Sequence, residues 1–95
     1  MNYLEKIGFT SEEINIIKKR TNGVIYKLLS DQGRVVTANI KYLKSLGVNN
    51  YKEVFIKYPD LFLVDLSNFK ETFDKYDRED LVQKLEANPD IIAYL

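Results

Sequence analysis

Apolar positions recur along this chain at helical spacing, and capping signals cut the pattern into short segments. Thr10-Ser11-Glu12-Glu13 has the form of a capping box. The Thr10 hydroxyl accepts from the Glu13 amide while the Glu13 carboxylate returns to Thr10, and Phe9 and Ile14 flank the box as a hydrophobic staple. Ile14 and Ile17, between Thr10 and Thr21, keep the helical phase until Asn22-Gly23 ends it. Upstream, Asn2 is placed to cap a short first helix, with Glu5 three residues on and Gly8 as its stop.

Residues 24–40 admit two readings. Val24 to Leu29, then Ser30-Asp31-Gln32-Gly33, then Arg34 to Thr37 has the form of a β-hairpin. The helical alternative has a short turn after Gly23, a cap at Ser30 and a long helix to Leu46. Val36, Ile40 and Leu43 fall at i, i+4 and i+7, and Val35, Asn39, Tyr42 and Leu46 widen that face. The pattern outlasts a strand of ordinary length and ends at Gly47, so helix is the expectation.

Further on, Asn50 with Glu53 reads as another capping box, and Tyr51, Val54, Phe55 and Tyr58 share one helical face. Pro59 stops that helix, because the residue before a proline is pushed out of the α region. Asp60 to Val64 forms a short apolar turn. Ser67 opens a helix with Phe69, Phe73 and Tyr76 inward. Asp77 caps the next, with Leu81 and Leu85 inward, and Asn88-Pro89 ends it. Ile91, Ile92 and Leu95 close the chain as a terminal apolar turn.

The pattern repeats. Tyr3-Leu4-Glu5-Lys6-Ile7-Gly8-Phe9 matches Tyr42-Leu43-Lys44-Ser45-Leu46-Gly47-Val48, and Tyr58-Pro59-Asp60-Leu61-Phe62 matches Asn88-Pro89-Asp90-Ile91-Ile92. Recurrence at this period marks a stacked array, because a helix pair needs a neighbour to cover its apolar face. In the third copy Glu86 stands where a third glycine belongs and Pro89 arrives early. These features resemble the mitochondrial transcription termination factor (mTERF) family of helical repeats, whose unit is L-x-x-L-G, a helix, P-x-L-L and another helix. The match is best from Leu43-Lys44-Ser45-Leu46-Gly47-Val48 through Lys57-Tyr58-Pro59-Asp60-Leu61-Phe62. In the first unit Thr21-Asn22-Gly23-Val24-Ile25 replaces the proline turn. The resemblance implies an all-α, curved or right-handed stack of helix pairs with short 3₁₀ turns. It would have about two and a half units, near 1–38, 39–76 and a partial 77–95, in a single domain. It also implies nucleic-acid binding along a basic concave face.

Composition narrows the chemistry. The 95 residues include no Cys and no His, which removes disulfides, thiolate sites, cysteine nucleophiles, the usual zinc ligand and the commonest general base. No P-loop, G-x-G-x-x-G or G-x-S-x-G is present. Asp74, Asp77, Glu79 and Asp80 lack the spacing and the glycine of a calcium loop, and Asp77 with its neighbours reads as a helix cap. Asp60 and Asp90 each follow a proline and read as turn caps. No enzyme activity and no cofactor are expected. The apolar runs fall far short of the roughly 20 residues that cross a bilayer, and the N-terminus lacks a secretory core, so no membrane association and a cytoplasmic address are expected.

The net charge is +0 but unevenly laid out. Residues 1–58 carry ten Lys/Arg against five Asp/Glu, and residues 59–95 carry four against nine. Arg34, Lys41 and Lys44 fall at i, i+7 and i+10 of the long helix, opposite its apolar stripe, with Thr37 between them. Such a stripe suits phosphates. It equally suits an ordinary solvated face. Lys18, Lys19 and Arg20 extend the patch, or simply complement the helix dipole in a last turn. Tyr26 and Tyr94 are the aromatics least committed to the core and are candidates to stack on a base or partner. The expectation is a non-catalytic module that binds DNA or RNA weakly, in a salt-dependent way, through Lys18, Lys19, Arg20, Arg34, Lys41 and Lys44. The alternative is a protein-interaction or self-assembly module in which basic and acidic halves of neighbours meet. The oligomeric state stays open.

Overall fold

A computed structural model describes residues 1–95, and every element in it is helical. In order they are α1 (Asn2–Lys6), α2 (Ser11–Arg20), α3 (Gly23–Asp31), α4 (Gly33–Ser45), α5 (Tyr51–Lys57), a first 3₁₀ turn (Pro59–Phe62), α6 (Leu66–Asp74), α7 (Arg78–Ala87) and a second 3₁₀ turn (Pro89–Tyr94). Residues 24–40 contain no strand; the hairpin alternative is excluded and the helical reading holds.

The capping chemistry explains most boundaries. Thr10 and Glu13 form the reciprocal box: the Glu13 amide donates to Thr10 Oγ1 at 3.1 Å and the Thr10 amide donates to Glu13 Oε1 at 2.8 Å. Asp77 accepts from the Asp80 amide at 3.0 Å and starts α7. Pro59 and Pro89 each stand at the head of a 3₁₀ turn, where a missing N–H costs nothing.

Five local expectations are corrected. The segment after Gly23 is a nine-residue helix and not a turn, because Asn22 Oδ1 accepts from the Ile25 amide at 2.9 Å and caps it. Ser30 is no cap; its hydroxyl donates back to the Tyr26 carbonyl inside α3. Asn2 lies inside α1, with Met1 at the cap position and no side-chain cap. The Asn50 side chain donates to the Leu85 carbonyl of α7 instead of forming a box with Glu53. Asp65, and not Ser67, starts α6. Its carboxylate accepts from the Asn68 amide at 2.8 Å and the Ser67 hydroxyl at 2.9 Å. Those two bonds, the amide first, hold the Asp65 carboxyl below its ordinary range.

One continuous core runs through the chain. α4 lies at its centre and packs on α1, α3, α5, α6 and the first 3₁₀ turn. Its buried stripe is Val36, Asn39, Ile40 and Leu43. Leu4, Ile17, Leu29, Val54, Phe55, Phe62 and Leu85 close around it. Aromatic edges continue the packing: Phe9, Phe55, Phe62, Phe69 and Phe73 form a chain of rings whose centroids lie 4.8 to 5.6 Å apart. Tyr76 does not join this core and is 43% exposed.

The repeated sequence segments have matching conformations. Leu4 and Leu43 are both fully buried, and Gly8 and Gly47 have φ of +100° and +97°. Only glycine takes that left-handed conformation without strain, and in both places it ends a helix. Pro59 and Pro89 are both buried, and so are Phe62 and Ile92, each three residues beyond its proline.

Candidate nucleic-acid interface

α4 turns its buried stripe to the core and presents Arg34, Lys41 and Lys44 on its exposed side. With a rise of 1.5 Å per residue, Arg34 and Lys41 stand about 10 Å apart along the axis, and Lys44 about 5 Å further. Arg34 and Lys41 line one open groove of about 860 Å³, together with Tyr3, Asp31, Gln32, Val35 and Thr37. The Asp31 carboxylate in that groove offsets part of the positive field.

Tyr3 builds the groove wall. Its hydroxyl donates to the Leu29 carbonyl of α3 at 2.6 Å, so α1 is tied to the α3–α4 corner. Burial first, and then the neighbouring Tyr26 phenol, push its pKa up to about 12, so it stays a neutral donor at physiological pH. Sequence reasoning placed no role on Tyr3. The available signal was its repeat partner Tyr42, which likewise reaches a distant acceptor, Asp74 Oδ1 at 3.4 Å.

The other candidates occupy separate places. Lys44 lies over the Tyr51 ring, 5.7 Å from its centroid, and Lys18 lies 5.9 Å from the centroid of Tyr26. Each is a cation–π contact that keeps the ammonium at the surface. Arg20 borders a depression shared with Asn22, Lys57 and Asp60. Lys19 is exposed in the last turn of α2. The structure thus brings Arg34 and Lys41 into one groove but does not gather all six cations in a single cavity. Of the two loose aromatics, Tyr26 is half-buried under Lys18, and Tyr94 is 85% exposed at the chain end.

Three lysines are held in ion pairs, whereas these six cations, like Lys6, Lys27, Lys70 and Lys75, are not. The ion pairs are Lys52 with Glu13, Lys57 with Asp90, and Lys84 with Asp80. Lys52 also donates to the Gly8 carbonyl at 2.6 Å, and Arg78 donates to the Ser45 and Leu46 carbonyls at the end of α4. None of Lys18, Lys19, Arg20, Arg34, Lys41 and Lys44 has a carboxylate within ion-pair distance. All six are exposed. The acidic cluster is accounted for locally, since Asp77 caps α7 and Glu79 and Asp80 stand in its first turn.

No helix is long and apolar enough to cross a membrane. Comparison of the chain with protein-family models, with curated proteins and with solved structures finds no match.

Proposed function

We propose that this protein is a non-catalytic binding module that engages the phosphate backbone of DNA or RNA through the outer side of α4 and the end of α2. One observation carries the reading. Arg34 and Lys41 line one open groove on the outer side of α4, Lys44 lies on the same exposed side, and none of these three nor Lys18, Lys19 and Arg20 has a carboxylate partner. Unpaired surface cations are available to replace condensed counterions on a polyanion, and this term needs no base contact.

The array reading belongs to the same proposal. The equivalence of Leu4 with Leu43, Gly8 with Gly47, and Pro59 with Pro89 supports units of the mTERF type. A molecule 34 Å long spans about one turn of duplex, so the number of phosphate contacts is small. The absence of His and Cys supports the non-catalytic part.

The test is an electrophoretic mobility assay with single-stranded and duplex probes, titrated with salt. Three to six phosphate contacts give a log–log salt slope of about −3 to −5 on duplex, with little base preference. Replacing Arg34, Lys41 and Lys44 together with Ala flattens the slope by about three while the helical circular dichroism is unchanged. Absence of retardation of either probe at about 50 mM salt rejects the reading and leaves a protein-interaction module in its place.

A further inference from the structure

The groove along α4 holds more than cations. Arg34 and Lys41 line it together with the Asp31 carboxylate, the Gln32 amide and the Thr37 hydroxyl, and Val35 adds an apolar patch. Asp31 is exposed and forms no ion pair, although Arg34 stands only three residues on. Gln32 occupies the cap position of α4, but its side chain makes no capping bond. The groove therefore presents free cations and a free anionic acceptor side by side.

A carboxylate is ill suited to a surface that meets phosphates alone. It repels them, and a ligand that covers it strips its water without supplying a new bond. The sugar of a DNA strand has no free hydroxyl to donate there. RNA has one. Its 2′-hydroxyl is a donor, and it sits on the carbon next to the one that carries the 3′-phosphate. One ribonucleotide thus sets a hydroxyl donor beside an anion, and Asp31 and Arg34 are the matching partners in one groove. Carboxylates read ribose hydroxyls beside bound phosphates in dinucleotide sites, and the 2′-hydroxyl is the group by which a protein tells RNA from DNA.

We infer that this groove selects RNA over DNA, with Arg34 and Lys41 on the phosphates and the Asp31 carboxylate accepting from a ribose 2′-hydroxyl. The inference rests on the phosphate-binding reading above and narrows it to one class of polymer. Asp31 acts in two ways. With RNA it accepts a charge-assisted hydrogen bond, which offsets its repulsion of the neighbouring phosphate. With DNA the same repulsion and the lost water go uncompensated, so the competing complex is weakened. No base edge takes part, and the preference holds across sequences.

Fluorescence polarisation at about 50 mM salt tests this with labelled single strands of about 15 nucleotides. Three strands share one sequence of A and C: RNA, DNA and 2′-fluoro RNA. The fluoro strand keeps the sugar pucker of RNA and lacks the donor. Wild type binds RNA about three- to tenfold more tightly than either of the others. Asp31→Ala binds DNA more tightly than wild type does and has no preference between RNA and DNA. Glu71→Ala removes the same charge from the exposed side of α6, away from the groove, and keeps the preference for RNA. Both positions are exposed, and unchanged circular dichroism shows that each variant is folded. Equal wild-type affinity for RNA and DNA overturns the inference and leaves the phosphate reading standing. So does an RNA preference that survives Asp31→Ala, or a fluoro strand bound as tightly as RNA. Failure to bind any of the three strands overturns the inference and the phosphate reading together.

Discussion

The ring of Tyr3 packs against Gly33, close enough that a Cβ at Gly33 would stand 2.9 Å from Tyr3 Cδ1. This contact sets the distance between α1 and the start of α4, and so shapes the groove that Arg34 and Lys41 line. The ring has little freedom to retreat, because its hydroxyl is bonded to the Leu29 carbonyl. In an open helix position Gly→Ala stabilises by roughly 0.5–1 kcal/mol. Here overpacking outweighs that gain, and Gly33→Ala is expected to lower stability by about 1–2 kcal/mol in urea melts. In a Tyr3→Ala background the same substitution should become neutral or stabilising. A double-mutant cycle with that reversal assigns the cost to the ring contact.

The equivalence of Leu4 and Leu43 gives a matched pair of core deletions. Both side chains are fully buried, each one turn before its left-handed glycine. Leu43→Ala is expected to cost about 2–5 kcal/mol, since the surrounding aromatic and aliphatic side chains collapse only in part. Leu4→Ala should fall at the low end of that range, because α1 has only five residues and Leu4 is its one buried side chain, so fewer groups surround the space it leaves. A loss under about 1 kcal/mol for Leu43→Ala in denaturant melts contradicts its place at the centre of the core.

Much of this arrangement is legible in the residues. The period of Val36, Ile40 and Leu43 places the α4 stripe, and the Val54–Phe55 pair identifies the inward side of α5. Thr10 and Glu13 announce a helix start using only neighbours three residues apart. The misread caps share a physical cause. Asn22 satisfies an amide of the following helix, so one Asn-Gly pair both closes α2 and opens α3. Asn50 is diverted by a carbonyl 35 residues away, a partner that exists only once α7 has docked. The candidate interface divides in the same manner. Exposure of Arg34, Lys41 and Lys44 follows from helical phase alone. Their separation from Lys18 and Arg20 depends on which helices pack together, α2 on α5 and α4 on its five neighbours, and local periodicity is silent on that.

Asn39 is the one fully buried polar side chain, and its geometry predicts a large effect. Its amide group donates to the Phe62 carbonyl at 2.9 Å and to the Val64 carbonyl at 2.7 Å, fastening α4 to the segment between the first 3₁₀ turn and α6. Both carbonyls lose their donor in Asn39→Ala, and a cavity opens beside Phe62. The expected loss is about 2–4 kcal/mol. Asn39→Asp should be worse, because a carboxylate offers acceptors where two donors are required and its charge is buried. If Asn39→Asp is also the more sensitive to pH, regaining stability as the carboxyl is protonated, the defect lies in donor loss and charge burial and not in side-chain shape.

Three tyrosines make the alkaline limb of stability a readable test. Burial, then Tyr26, raises the Tyr3 pKa from 10.0 to about 12. Burial and the Asp74 carboxylate raise that of Tyr42. A hydrogen bond donated to Asp90, at 2.9 Å, is the main cause of the rise at Tyr58. A raised phenol pKa means that the folded chain holds its proton where the unfolded chain has released it. The associated stability is therefore whole below pH 10 and is lost as pH rises from about 10 towards about 12. Unfolding free energy should fall across that window, and Tyr3→Phe should make the fall shallower while costing some stability at pH 7, where the bond to the Leu29 carbonyl is lost. Tyr58→Phe should do likewise and also release the Asp90 carboxylate, which still has Lys57 Nζ at 3.7 Å. Urea melts at intervals between pH 8 and about pH 12 check the sign. A Tyr3→Phe curve parallel to wild type over the whole window places the Tyr3 phenol in ordinary solvent and removes it as the anchor of the groove wall.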